Sequence, residues 1–152
     1  MLAFPIPTTV TSNRVEHSMY RGSCLCGVVT YEIDGELGDG YFCHCSRCRK
    51  ASGSAYAANA RLLPNQFRVL TGQESLKSYY HPASGLTRKF CAECGSPIVS
   101  ERSEPPMLAV RLGTLDTPLH DSPIRGHIFV GSKAEWDEIT DDLPQFAERP
   151  TS

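Results

Sequence analysis

The sequence predicts a mainly β protein built of small layered antiparallel sheets. Three observations carry this. Short β-rich runs dominate the chain, turn signals recur about every ten residues, and helical periodicity is scarce. The chain has 152 residues, 40% of them hydrophobic and 21% charged, which suits one soluble domain with a real core.

Residues 1–18 hold Pro5, Pro7 and a polar stretch and read as a flexible arm; its His17 is a weak candidate ligand. "VVTYEIDG" alternates and ends on the turn pair Asp34-Gly35. "SAYAANARL", "FRVLTG", "SLKSYYH", "TRKFC" and "PIVSE" are short strands bounded by Gly, Pro or Asn, and "PMLAVRLGTL" and "GHIFVG" continue the pattern. Tyr79 and Tyr80 are strand residues, one facing each side. "LPNQF" fits a single helical turn. "SKAEWDEI" opens as a short helix at Ser132, with Glu135 completing a capping box. Trp136, the one tryptophan, is expected in the core or at its edge. Residues 148–152 read as a frayed tail.

Composition excludes several function classes. With 15 basic and 17 acidic residues the net charge is −2, which gives no footprint for nucleic acid. No apolar run reaches the roughly 20 residues of a membrane helix, and the N-terminus lacks the charge pattern of a signal peptide. A cytoplasmic protein is the expectation. Exposed strand edges in a small β domain make a homodimer a further one.

Seven cysteines fall into three groups: Cys24-Leu25-Cys26, Cys43-His44-Cys45-Ser46-Arg47-Cys48 and Cys91-Ala92-Glu93-Cys94. An odd number in tight clusters argues for metal rather than a disulfide framework. A redox reading of the CxxC pair lacks its strand–helix setting. The first and third groups together supply four thiols, the number for a closed tetrahedral zinc site. Gly95 permits the positive φ a zinc knuckle needs. In an extended "CLCG", Cys24 and Cys26 would face the metal and Leu25 the core. Because it joins Cys26 to Cys91, 65 positions apart, this site is read as structural.

The middle group is left with three thiols. Alternation puts Cys43 and Cys45 on one side and His44 on the other, and a short turn brings Cys48 back. Three protein ligands with a fourth place open is the pattern of a catalytic zinc. His44 either orients the site from behind or is an ordinary polar residue on the opposite face. Arg47, Arg49 and Lys50 follow directly and are candidates for holding an anionic substrate; the alternative is a solvated basic turn. Ser52, Gly53 and Ser54 suit a tight turn.

The motifs "RGSCLCGVVTYEI", "YFCHCSRCRKASGSAY", "KFCAECGSPIVSE", "LAVRLGTLD" and "HIFVGSKAEW" resemble the glutathione-dependent formaldehyde-activating enzyme family, which includes centromere protein V. The resemblance spans residues 20–147 and implies a single catalytic domain over 19–147 with a β-tent fold. It implies two zinc ions, structural at Cys24, Cys26, Cys91 and Cys94 and catalytic at Cys43, Cys45 and Cys48. It also implies a carbon–sulfur lyase that forms S-(hydroxymethyl)glutathione from glutathione and formaldehyde, with a small glutathione-like thiol as substrate. Two alternatives stand beside it: a related enzyme for another thiol or electrophile, and a zinc-stabilised interaction module without catalysis.

Overall fold

The computed structural model describes residues 18–150. The expected arm, with His17, lies outside the described residues except for Ser18, and so does the end of the expected tail. Ten strands form in chain order among the described residues. They are β1 (Met19–Ser23), β2 (Thr30–Asp34), β3 (Gly40–Cys43), β4 (Ala57–Leu62), β5 (Phe67–Thr71), β6 (Leu76–His81), β7 (Leu86–Cys91), β8 (Pro97–Arg102), β9 (Met107–Arg111) and β10 (Ile124–Ile128). They divide into a three-stranded sheet, β1-β2-β5, and a seven-stranded sheet, β10-β3-β4-β9-β8-β7-β6.

Mainly β architecture is what the alternating runs require, because each strand with one apolar face must bury it against another layer. Tyr31 and Ile33 of β2, Ala60 and Leu62 of β4, Val99 of β8, and Leu108 and Val110 of β9 share one core. Tyr31 anchors it: the ring stands 5.0 Å from that of Phe67, and the hydroxyl lies 2.7 Å from Thr114 Oγ1.

Among the named strands one pair departs from a purely antiparallel pattern. β10 runs parallel to β3, which the long chain between the two strands permits. The outer edge of β10 does not stay open. His127 N–H donates to the Pro144 carbonyl at 2.8 Å, and Phe146 N–H donates back to His127 at 2.9 Å. Phe129 N–H reaches the Glu148 carbonyl at 3.2 Å, so residues 144–148 run along this edge and cover it.

Local expectations meet mixed outcomes. "LPNQF" does form a single 3₁₀ turn, Pro64–Gln66. The helix expected from Ser132 is absent: a 3₁₀ turn covers Val130–Ser132 and an irregular strap follows. Lys133 Nζ donates to the Ala134 and Asp137 carbonyls and closes that strap on itself. Ala134, not Trp136, is the buried anchor there, and Trp136 is 74% exposed. Tyr79 and Tyr80 are both exposed, because β6 is an edge strand open on both faces.

One α-helix exists among the described residues, α1 (Ser46–Ser52), where the sequence suggested only turns. It is too short for periodicity to reveal. Cys45 caps its start, with the sulfur accepting from Cys48 N–H at 3.4 Å. Gly53, at φ 63°, ends it in the left-handed conformation that glycine adopts without strain.

Candidate metal and catalytic site

The seven cysteines assemble as two clusters, in each of which all sulfurs lie within 4.8 Å of one another. Cys24, Cys26, Cys91 and Cys94 form one, and Cys43, Cys45 and Cys48 the other. A tetrahedron of sulfurs at a Zn–S distance of about 2.3 Å has S···S edges of about 3.8 Å. Cys24 and Cys26 stand 3.5 Å apart, Cys26 and Cys91 3.8 Å, and Cys43 and Cys45 3.6 Å. Both donor sets therefore fit a thiophilic divalent ion such as zinc.

The four-cysteine cluster joins the loop after β1 to the turn after β7. Gly95 takes φ +77° and its N–H donates to the Cys91 carbonyl at 2.8 Å, which closes the knuckle. The other half is not extended as the sequence suggested. Gly27 N–H donates to the Cys24 carbonyl at 3.0 Å, so residues 24–27 form a turn, and Leu25 is 87% exposed rather than in the core. Ser96 ties the two halves. Its hydroxyl accepts from Leu25 N–H at 2.9 Å and lies 3.3 Å from Cys94 Sγ. Hydrogen bonds from the Ser96 hydroxyl and backbone pull the Cys94 thiol down to about 5.

The three-cysteine cluster sits where β3 runs into α1. Cys43 is the last residue of β3, Cys45 caps the helix, and Cys48 lies one turn into it. Crowded sulfurs do not ionise equally. Hydrogen bonds from Cys43 and Cys48, with backbone N–H groups of Cys48 and Arg47, pull Cys45 down to about 2. Its bonds to Cys45 and Cys48 push Cys43 far above the ordinary thiol range. Of the three crowded sulfurs, Cys45 is thus the one best placed to carry negative charge.

His44 faces away from the sulfurs, as alternation requires, and is fully buried. Its Nε2 lies 2.8 Å from Nδ1 of His127 on β10, and His127 Nε2 lies 3.0 Å from an Asp141 oxygen. His44 Nδ1 lies 3.8 Å from Asp137 Oδ2. Burial first, then the facing His127, hold His44 below its usual range. It thus joins the site-bearing strand to β10, whereas its Nδ1 and Asp137 Oδ2 face each other without a hydrogen bond.

On the sulfur side the register builds a polar face across the large sheet. Tyr41 pairs Asn59, and Asn59 pairs Arg111. Across the sheet Ala109 pairs Ser100, Ser100 pairs Arg88, and Arg88 pairs Tyr79. Because side chains two apart share a face, these residues and Cys43 look the same way. A cavity of about 130 Å³ opens on this face, with Cys43, Cys48, Asn59, Ser100 and Arg111 in its wall.

Arg111 is 6% exposed. Its guanidinium donates to Asn59 Oδ1, and to Ser100 Oγ at 3.4 Å. Burial lowers its pKa, whereas the nearby charge of Cys48 and Cys43 works the other way. Sequence reading missed Arg111, although an arginine ending the apolar strand "MLAV" signals a buried charge. The basic residues singled out after the cysteines separate. Arg47 and Lys50 line a groove beside the cavity. Arg49 is a tether: its Nε donates to the His44 carbonyl and its Nη2 to Ser132, both at 3.3 Å. Ser52 donates to the Cys48 carbonyl at 2.8 Å and closes the helix end with Gly53.

No helix of the described residues is long and apolar enough to cross a membrane. Among solved structures, a crystal structure of a Rhodobacter sphaeroides protein is similar at 32% identity. That similarity covers 66% of this chain and 91% of the other, with a TM-score of 0.52. A family model described as glutathione-dependent formaldehyde-activating enzyme matches residues 19–132. That span holds every cysteine of both clusters and Arg111, and the chain accordingly belongs to the glutathione-dependent formaldehyde-activating enzyme family.

Proposed function

We propose that the protein is a zinc-dependent carbon–sulfur lyase of the cytoplasm that joins a small thiol to an aldehyde, with glutathione and formaldehyde as the leading pair. The single observation that carries this reading is the contrast between the two clusters. Four thiols close one set, whereas the other has three thiols at the same spacing, two of which, Cys43 and Cys48, stand in the wall of a cavity. Bound there, zinc with three thiolates supplies a weak Lewis acid suited to holding a further thiolate.

The residues of the chain do the rest. Cys43, Cys45 and Cys48 fix the position at which a substrate sulfur docks, on a strand end and a helix start tied to β10 through His44. The docked sulfur attacks the carbonyl carbon; a C–S bond forms, the C=O π bond opens, and the thiol's proton ends on the oxygen. In the lyase direction the same bond breaks and thiol and aldehyde leave. Seven free thiols, all in the two clusters, favour a reducing compartment.

A related enzyme acting on another thiol or electrophile is the second reading, favoured by the cationic groove beside the cavity, which is not specific to one thiol. The test is to incubate the zinc-loaded protein with glutathione and formaldehyde and follow the hydroxymethyl adduct by NMR. Adduct formation well above the uncatalysed rate supports the leading pair. A background rate with this pair, but acceleration with another thiol or aldehyde, moves the assignment to the second reading.

A further inference from the structure

Two arginines on the site face are buried at the same atom with nothing to bind. Arg111 Nε and Arg88 Nε each find no hydrogen-bond partner among the described residues. Arg88 lies on β7 opposite Ser100, and Ser100 Oγ also accepts from Arg111. Both arginines line the same groove, with Arg47 and Lys50, and Arg111 stands also in the wall of the cavity beside Cys43 and Cys48. Side-by-side guanidiniums repel, and a buried donor without an acceptor is costly. Three thiolates on a divalent ion carry −1 and the two arginines +2, so the thiolates alone do not balance them. Among the groove's lining residues there is no aspartate or glutamate.

We propose that Arg88 and Arg111 form a carboxylate-binding site at the junction of cavity and groove, which selects a thiol substrate bearing a carboxylate. The assignment rests on reading the three-cysteine cluster as the thiol-docking centre. Guanidinium forks match a planar carboxylate in two-point geometry. A carboxylate there accepts from the two guanidiniums, whose Nε–H groups have no acceptor within the protein, while its own thiol reaches the three-cysteine cluster past Arg111. With no acidic lining residue to receive an ammonium, the groove disfavours cationic thiols such as cysteamine.

The test separates the carboxylate from the sulfur. Zinc-loaded protein is titrated calorimetrically with glutarate, which has no thiol. Binding is expected, weakened at least tenfold in Arg88→Gln and in Arg111→Gln. Arg88→Gln leaves the ties of Arg111 to Asn59 and Ser100 in place, so it serves if Arg111→Gln fails to fold. Cobalt-substituted protein is then titrated with mercaptosuccinate, 2-mercaptoethanol and cysteamine, reading the thiolate-to-cobalt absorption. Mercaptosuccinate is expected to bind at least tenfold tighter than 2-mercaptoethanol, and cysteamine weakest. The glutamine variants lose that preference without losing 2-mercaptoethanol. Glutarate affinity unchanged in both variants overturns the carboxylate site, and so does a drop in zinc affinity alone, which would make the arginines counter-charges to the thiolates. Glutarate binding through the arginines, with no thiol altering the cobalt bands, upholds the anion site and defeats the thiol-docking reading instead.

Discussion

His44 and His127 meet ring to ring, Nε2 to Nδ1 at 2.8 Å, across the parallel pair of β3 and β10. Both are buried, and His44 stands between Cys43, which ends β3, and Cys45, which caps α1. Replacing His127 with alanine leaves His44 Nε2 without its partner and opens a cavity against Phe42, whose ring lies 5.2 Å from that of His127. Such a change costs about 2–4 kcal/mol. Urea denaturation is expected to show that loss. Metal competition is expected to show weakened binding at the three-cysteine cluster and little change at the four-cysteine cluster. Equal weakening at both would mean that the pair only stabilises the fold.

The two clusters are expected to fail differently. Cys45→Ser removes one ligand of three from a cluster drawn from six consecutive residues; it should abolish activity and leave a folded protein holding one zinc. Cys94→Ser breaks the set joining the β1 loop to the β7 turn, and metal binding there is part of the folding free energy. It is expected to lower the melting temperature sharply or yield aggregated protein. Zinc content by mass spectrometry and melting curves on both variants check this. Identical unfolding in the two would remove the structural and catalytic division.

Why some of this was legible and some not has a physical basis. Cysteine grouping is a local, spacing-coded signal, and both clusters were readable from it. Strands whose residues alternate were readable for the same reason. The polar face of Asn59, Ser100, Arg88 and Arg111 comes from cross-strand register among four strands, which a linear reading does not supply. His127 is likewise 83 residues from His44, joined by a parallel pairing that no local pattern announces. The errors at Leu25 and Trp136 share one cause. Both are apolar residues in tight turns, where backbone geometry rather than hydropathy decides which side chain faces in.

Trp136 gives a direct check on the strap. At 74% exposed it buries little, so Trp136→Ala should change stability by less than about 0.5 kcal/mol. Its fluorescence should be that of a solvated indole, freely reached by iodide or acrylamide in the folded protein. A blue-shifted, protected tryptophan would place the strap differently, or cover it with a partner.

Tyr31 is a buried phenol whose ionisation is expected to weaken the fold at alkaline pH. Burial of the phenol pushes its pKa up from 10 to about 12, opposed by the hydrogen bond with Thr114 and reinforced by Asp116. The folded value lies above the unfolded one. Its contribution is therefore complete below pH 10 and is lost as pH rises to about 12, where the unfolded chain ionises first. Two units correspond to a loss on the order of 3 kcal/mol. Tyr31→Phe gives up the Thr114 hydrogen bond, which costs about 1 kcal/mol at neutral pH, but it has no phenol to ionise. The thiols and remaining tyrosines titrate alike in both proteins, so the difference between them isolates this one group. Stability measured by urea unfolding from pH 8 to 12 should thus show two curves that cross, with wild type ahead below pH 10 and the phenylalanine variant ahead near pH 12. Parallel curves would mean that Tyr31 ionises as readily inside the fold as outside, which a ring with no exposed surface packed on Phe67 does not allow.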